Sequence, residues 1–230
     1  MTSHLIGVRF GEPSEHAALA VLKRVFTWSS ESMMGDPDQL VHEVPWLARW
    51  KPGTAYPQIV QEVAEIRQRI EGDLTADGVL LIVDATAAGN APIAALRRAG
   101  AKPREVIVTG AARVSGDGAS VMSVPRRDIA SALVAESQAG LLKVAAELDH
   151  AAELEEQVAG FSYQINRRKP SADYEQMLDQ PVDDDLVVAA AIALWWSTAK
   201  LSRRYSGAKA APEVETGRWN PFSYAIVDRE

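Results

Sequence analysis

The chain has no cysteine, which excludes disulfides, thiolate nucleophiles and thiolate metal sites. Histidine is scarce too: His4, His16, His42 and His150 fall at no spacing that zinc ligands use, which argues against a zinc enzyme. Long apolar runs are missing, since residues 79–83 and 186–196 fall short of the roughly 18 residues that a membrane span needs. No secretory leader is visible, because Met1-Thr2-Ser3-His4 passes through a short strand-like run to Arg9 and Glu12. Positive charge is also lacking: the net charge is -7, so a polyanion would have to be met by a local basic patch. No G-x-x-x-x-G-K-[ST] segment occurs, so no P-loop ATPase is encoded in these residues.

What is present suffices for a folded body. The sequence has 230 residues, 47% of them hydrophobic and 24% charged, with no internal repeat and no linker long enough to divide it. Residues 4–10 and 17–26 read as strands joined by the turn at 11–15, an antiparallel hairpin. Residues 40–50 read as a third strand, with Pro45 marking an edge or a bulge. Tyr56-Pro57 opens a helix over 58–72, with Ile59, Val63, Ile66 and Ile70 at helical spacing. The apolar run 79–83 ends in Asp84 as a strand buried on both faces. A helix over 91–99 and a strand over 105–109 follow, which implies a right-handed parallel crossover.

Further on, residues 110–123 read as irregular and glycine-rich, and Val124-Pro125-Arg126 as the opening of a helix that runs to Gln138. A short strand at 141–144, a helix at 151–158, a last strand at 161–165, a helical turn at 173–180 and a closing helix at 184–204 complete the body. The fold class expected is α/β, a mixed sheet of an antiparallel hairpin plus parallel strands, flanked by helices. Residues 1–205 form this domain, and 206–230 read as a tail, draped or disordered.

Two acidic features stand out. Asp84 ends a buried strand at the edge where open α/β sheets place ligands, although Asp also ends strands by bonding its own turn. Asp183, Asp184 and Asp185 directly precede the apolar run 186–196. One of them can cap the helix and complement its dipole. Three like charges against a buried helix still require solvent, a proton or a cation. Carboxylates from distant sequence, converging without His or Cys, suit Mg²⁺ or Mn²⁺, and a pair of such ions can drive phosphodiester hydrolysis.

Several segments in order resemble the nuclease domain of phage terminase large subunits, a family of the RNase H-like superfamily. They are Gly7-Val8-Arg9-Phe10-Gly11 with Glu15 and Ala18-Leu19 after it, Lys51-Pro52-Gly53-Thr54-Ala55-Tyr56-Pro57, Val83-Asp84-Ala85-Thr86-Ala87-Ala88-Gly89, Val124-Pro125-Arg126, and Asp184-Asp185-Leu186-Val187-Val188-Ala189. The resemblance implies an endonuclease that uses Mg²⁺ or Mn²⁺, with a two-ion site, to cut double-stranded DNA during viral or prophage genome packaging in the bacterial cytoplasm. Asp84, Asp184 and Asp185 match its catalytic, metal-holding acids, and Asp183 stands where the family often has histidine. A separate packaging ATPase or a portal would be the partner, and the chain a separate subunit, a split terminase, a remnant or an excised domain.

The family's first acid belongs in the slot that here holds Arg9, and a guanidinium cannot ligate a cation. Either Glu15 helps to hold the ion, or Arg9 replaces it and leaves an inactive module that binds DNA or a partner. A Holliday-junction resolvase-like nuclease is a third reading, disfavoured because the segments at 53–57 and 124–125 have no role in it. Candidate phosphate contacts are Arg126 and Arg127 at a helix start and Arg167, Arg168 and Lys169 in the loop before the acidic helix, all with a plain surface role as the alternative. Trp195 and Trp196 read as packing residues.

Overall fold

The computed structural model describes residues 2–27, 39–73, 78–86, 89–117, 120–166 and 183–201. Its centre is an eight-stranded mixed sheet: β1 (Thr2–Arg9), β2 (Ala17–Thr27), β3 (Gln39–Trp50), β4 (Gly78–Asp84), β5 (Arg104–Thr109), β6 (Ser115–Gly116), β7 (Val121–Pro125) and β8 (Leu142–Val144). The order across the sheet is β6-β7-β5-β4-β1-β2-β3-β8. The first three strands are antiparallel, as the hairpin reading expects, and β4, β5 and β7 extend the sheet in parallel from β1. Pro45 does lie at a bulge. Val21 pairs with Trp46 but Lys23 with Glu43, so β3 carries one extra residue at Val44-Pro45, and β8 pairs with β3 only as far as Val44.

Strand alternation sends side chains into two cores. Ile6, Val8, Leu19, Val21, Leu81 and Val83 face α1 (Tyr56–Asp73) and α2 (Asn90–Arg98). Leu5, Ala18, Ala20, Leu22 and Ile82 face the other way, toward α3 (Arg126–Gln138), α4 (Ala151–Asn166) and α5 (Asp185–Trp196). Every residue of α5 is buried. Its alanines lie against Gly7, Ala18 and Ala20, small residues that let a helix approach the strands closely. A Cβ on Gly7 would stand 1.9 Å from the Ala189 carbonyl oxygen.

Four expectations are corrected. Residues 161–165 are not a strand, because α4 continues through Gly160 to Asn166; a helix with tertiary support tolerates the roughly 1 kcal/mol cost of an internal glycine. The segment 110–123 contains β6 and most of β7, and β7 joins the sheet by parallel pairing with β5 despite the glycine-rich stretch before it. Val124 and Pro125 therefore end a strand, and the helix begins at Arg126. The closing helix is α-helical only to Trp196, then widens into a π-helical turn, Ser197–Leu201. The expected turn at 173–180 and the tail at 206–230 lie outside the described residues. Trp195 and Trp196 are buried, edge to face with ring centroids 6.1 Å apart.

Candidate active site

Register assembles the site. Asp84 pairs with Arg9, Arg9 with Ala18, and Ala18 with Arg49, so β4, β1, β2 and β3 contribute one row across the sheet. Residues directly opposite in neighbouring strands project to the same face. That face is the one occupied by α5. The N-terminus of α5 arrives over the row with Asp183, Asp184 and Asp185, and Ala18 leaves room between the two arginines.

The acids divide between these arginines. Arg9 Nη2 lies 3.1 Å from Asp184 Oδ1 and 3.7 Å from Glu15 Oε2, while Nη1 lies 3.7 Å from Asp84 Oδ2. Arg126, at the start of α3, closes the other side of Asp184 with Nη2 at 2.6 Å from Oδ2, its guanidinium resting over the Phe161 ring. Arg49 grips Asp185 through Nε at 2.8 Å and Nη2 at 3.0 Å, and reaches Asp183 at 2.8 Å. His16 lies 3.5 Å from the second oxygen of Asp183.

No aspartate side chain caps α5. Gln157 of α4 takes that role, because its Oε1 accepts the Val187 N–H at 3.0 Å and its Nε2 donates to Asp185 at 2.9 Å. The carboxylates are thereby left to the arginines. Of the two readings offered for Asp84, the turn-bonding one is seen directly. The Asp84 Oδ1 accepts the Thr86 N–H at 2.9 Å and the Thr86 hydroxyl, while Oδ2 faces Arg9.

Burial pushes the Asp84 carboxyl above its ordinary range, against the Thr86 hydrogen bonds and the charge of Arg9. For Asp183 burial acts in the same sense, but Arg49 and His16 outweigh it and hold the carboxyl below the usual value. The hydrogen bonds that Arg49 donates to Asp185 raise the Arg49 value, so the guanidinium stays charged.

The structure brings Asp84, Asp184 and Glu15 around Arg9, and Asp183 and Asp185 around Arg49. Arg126 faces the site. Arg127 points away and bonds the Ala112 carbonyl. Arg167, Arg168 and Lys169 lie outside the described residues. Sequence reading missed Arg49, Gln157 and His16. Only strand register could have flagged Arg49, and nothing in the pattern of α4 marks Gln157.

Among the described residues, one group with three ligand-capable side chains has its ligand atoms within 4.8 Å of one another: His16, Asp183 and Asp185. Arg49 already spans its two carboxylates. Asp84 and Asp184 both face the Arg9 guanidinium, which lies between them and would repel a divalent cation. With both arginines in place, the donor set does not fit Mg²⁺ or Mn²⁺. Among the described residues, no helix is long and apolar enough to cross a membrane.

No family model matches the sequence, and no curated protein matches it. Among solved structures, the chain is similar to the large terminase nuclease from thermophilic phage G20c, at 14% identity over 90% of this chain and 82% of that one, with a TM-score of 0.48. It is also similar to the human cytomegalovirus terminase nuclease domain, Mn soaked, at 14% identity over 84% and 82%, TM-score 0.43. Thermus thermophilus RuvC follows at 15% identity over 86% and 96%, TM-score 0.38. The chain's own architecture is a mixed eight-stranded sheet with helices on both faces.

Proposed function

We propose that this chain is a module of the terminase nuclease kind whose acidic centre is closed by arginine, and that it engages double-stranded DNA without hydrolysing it. The observation that carries this reading is the row Asp84, Arg9, Ala18, Arg49 beneath Asp183 to Asp185. Two guanidinium groups stand where divalent cations would gather the carboxylates. A guanidinium stays protonated, offers no ligand atom and activates no water. The acids, left without a function in metal binding, instead lock α5 onto the sheet. In this reading the packaging ATPase or portal belongs to another chain, and the module works in the cytoplasm of a bacterial host.

A second reading is the Mg²⁺- or Mn²⁺-dependent endonuclease itself. It is favoured by the cluster of His16, Asp183 and Asp185, and by Glu15 beside Arg9. Supercoiled plasmid incubated with the protein and Mn²⁺ separates the two. We expect the parent protein to leave plasmid intact, Arg9→Asp to nick it, and Asp84→Ala added to Arg9→Asp to abolish nicking. Cutting by the parent that Asp84→Ala removes would establish the second reading instead.

A further inference from the structure

Beside the acidic centre lies an open cavity of about 290 Å³ whose polar lining is Arg9, Asp84, Thr86, Thr109, Gly110 and Arg126. Arg9 Nη2 and Arg126 Nη2 are taken up by Asp184, but other donors are uncommitted. The Arg9 Nε is buried and has no hydrogen-bond partner among the described residues. The Arg9 Nη1 has its acidic neighbour at 3.7 Å, too long for a hydrogen bond. The Thr109 Oγ1 accepts the Ala111 N–H, so its own proton remains free to be donated. Arg126 is half exposed at the mouth, and a side chain on Gly110 would meet open space.

The two arginines already demonstrate how they grip an oxyanion. The Asp184 carboxylate lies between them with one oxygen on each guanidinium. We infer that this cavity is an oxyanion site that takes a phosphate group on Arg9 and Arg126, either as free phosphate or as a phosphodiester of a DNA backbone. Planar guanidinium donors suit phosphate oxygens, and the incoming group competes with Asp184 for them. Arg9 and Arg126 balance Asp84 and Asp184 in charge, so recognition comes from donor direction rather than a broad positive field. The DNA source rests on the arginine-closed reading above; the site itself does not.

The test uses the full chain in EDTA at low salt. Inorganic phosphate is titrated by calorimetry, and a short fluorescent DNA duplex by anisotropy, against the parent, Arg126→Gln, Thr109→Val and the remote Arg98→Gln. We expect phosphate to bind the parent and Arg98→Gln alike, to weaken about tenfold with Arg126→Gln, and to weaken less with Thr109→Val. Thr109→Val keeps the test open should Arg126→Gln fold poorly. Displacement of the duplex by phosphate assigns the site to the DNA backbone. Phosphate binding without duplex binding keeps the site and removes DNA as its ligand. No phosphate binding in EDTA, or equal binding by Arg126→Gln and Thr109→Val, overturns the inference. Metal-dependent cutting of plasmid by the parent would overturn the function proposed above while leaving this result to stand or fall separately.

Discussion

Arg9 and Asp184 meet at 3.1 Å although they lie far apart in the sequence, and the same guanidinium faces Asp84 at 3.7 Å. Their meeting decides whether the acids serve a metal. Mn²⁺ titrated calorimetrically into the parent is expected to show no uptake at this site, whereas Arg9→Asp supplies a third carboxylate in place of a cation and acquires binding. Uptake by the parent that Asp84→Ala abolishes would contradict the closed site.

Arg49 makes a parallel claim on Asp185, which is buried and also bonded by Gln157. Removing one partner of a buried pair leaves the other uncompensated, so Arg49→Met should lower unfolding stability by about 3–5 kcal/mol. Gln157→Leu strips the Val187 N–H of its acceptor and should cost about 1–3 kcal/mol. Urea denaturation measures both, and a change below half a kcal/mol in either would mean that these contacts do not hold α5.

Gly7 is where the sheet touches α5 most closely. Gly7→Ala forces a methyl group against the Ala189 carbonyl, so β1 and α5 must separate. We expect a loss of about 3 kcal/mol or a failure to fold, seen as a lower thermal midpoint. Gly72→Ala, at an open position near the end of α1, serves as the control and should be neutral to slightly stabilising.

Protonation should act on Asp84 and Asp183 in opposite senses. Burial raises the folded-state value of Asp84, so its contribution is fully present below the ordinary carboxylate range and is lost as pH rises through the raised value. Asp84→Asn, which keeps the acceptor for the Thr86 N–H, should therefore raise the thermal midpoint at neutral pH, and the gain should vanish in acid. Arg49 and His16 lower Asp183, so its contribution is present above the unfolded value and is lost as pH falls through the folded one. Asp183→Asn should cost stability at neutral pH, by less than about 1 kcal/mol because the side chain is largely exposed. Melting curves over a pH series check both signs.

Local pattern determined much of this protein. The alternation in β1 and β2, the helical spacing of Ile59 and Val63, the apolar run ending at Asp84 and the acidic head of α5 all follow from short-range periodicity and burial, which a sequence displays directly. Helix α4 and strand β7 were less legible. Gly160 has the look of a stop, and β7 follows a glycine-rich stretch and ends in a proline, so packing against neighbours decided both. Only the tertiary structure divided the acids. Sequence sets Asp183, Asp184 and Asp185 side by side as equals, but strand register puts Arg9 and Arg49 two strands apart on one face, and the descending helix gives Asp184 to one and Asp183 and Asp185 to the other. Charge pairing depends on distance in space, and register, which fixes that distance, arises between strands far apart in the chain.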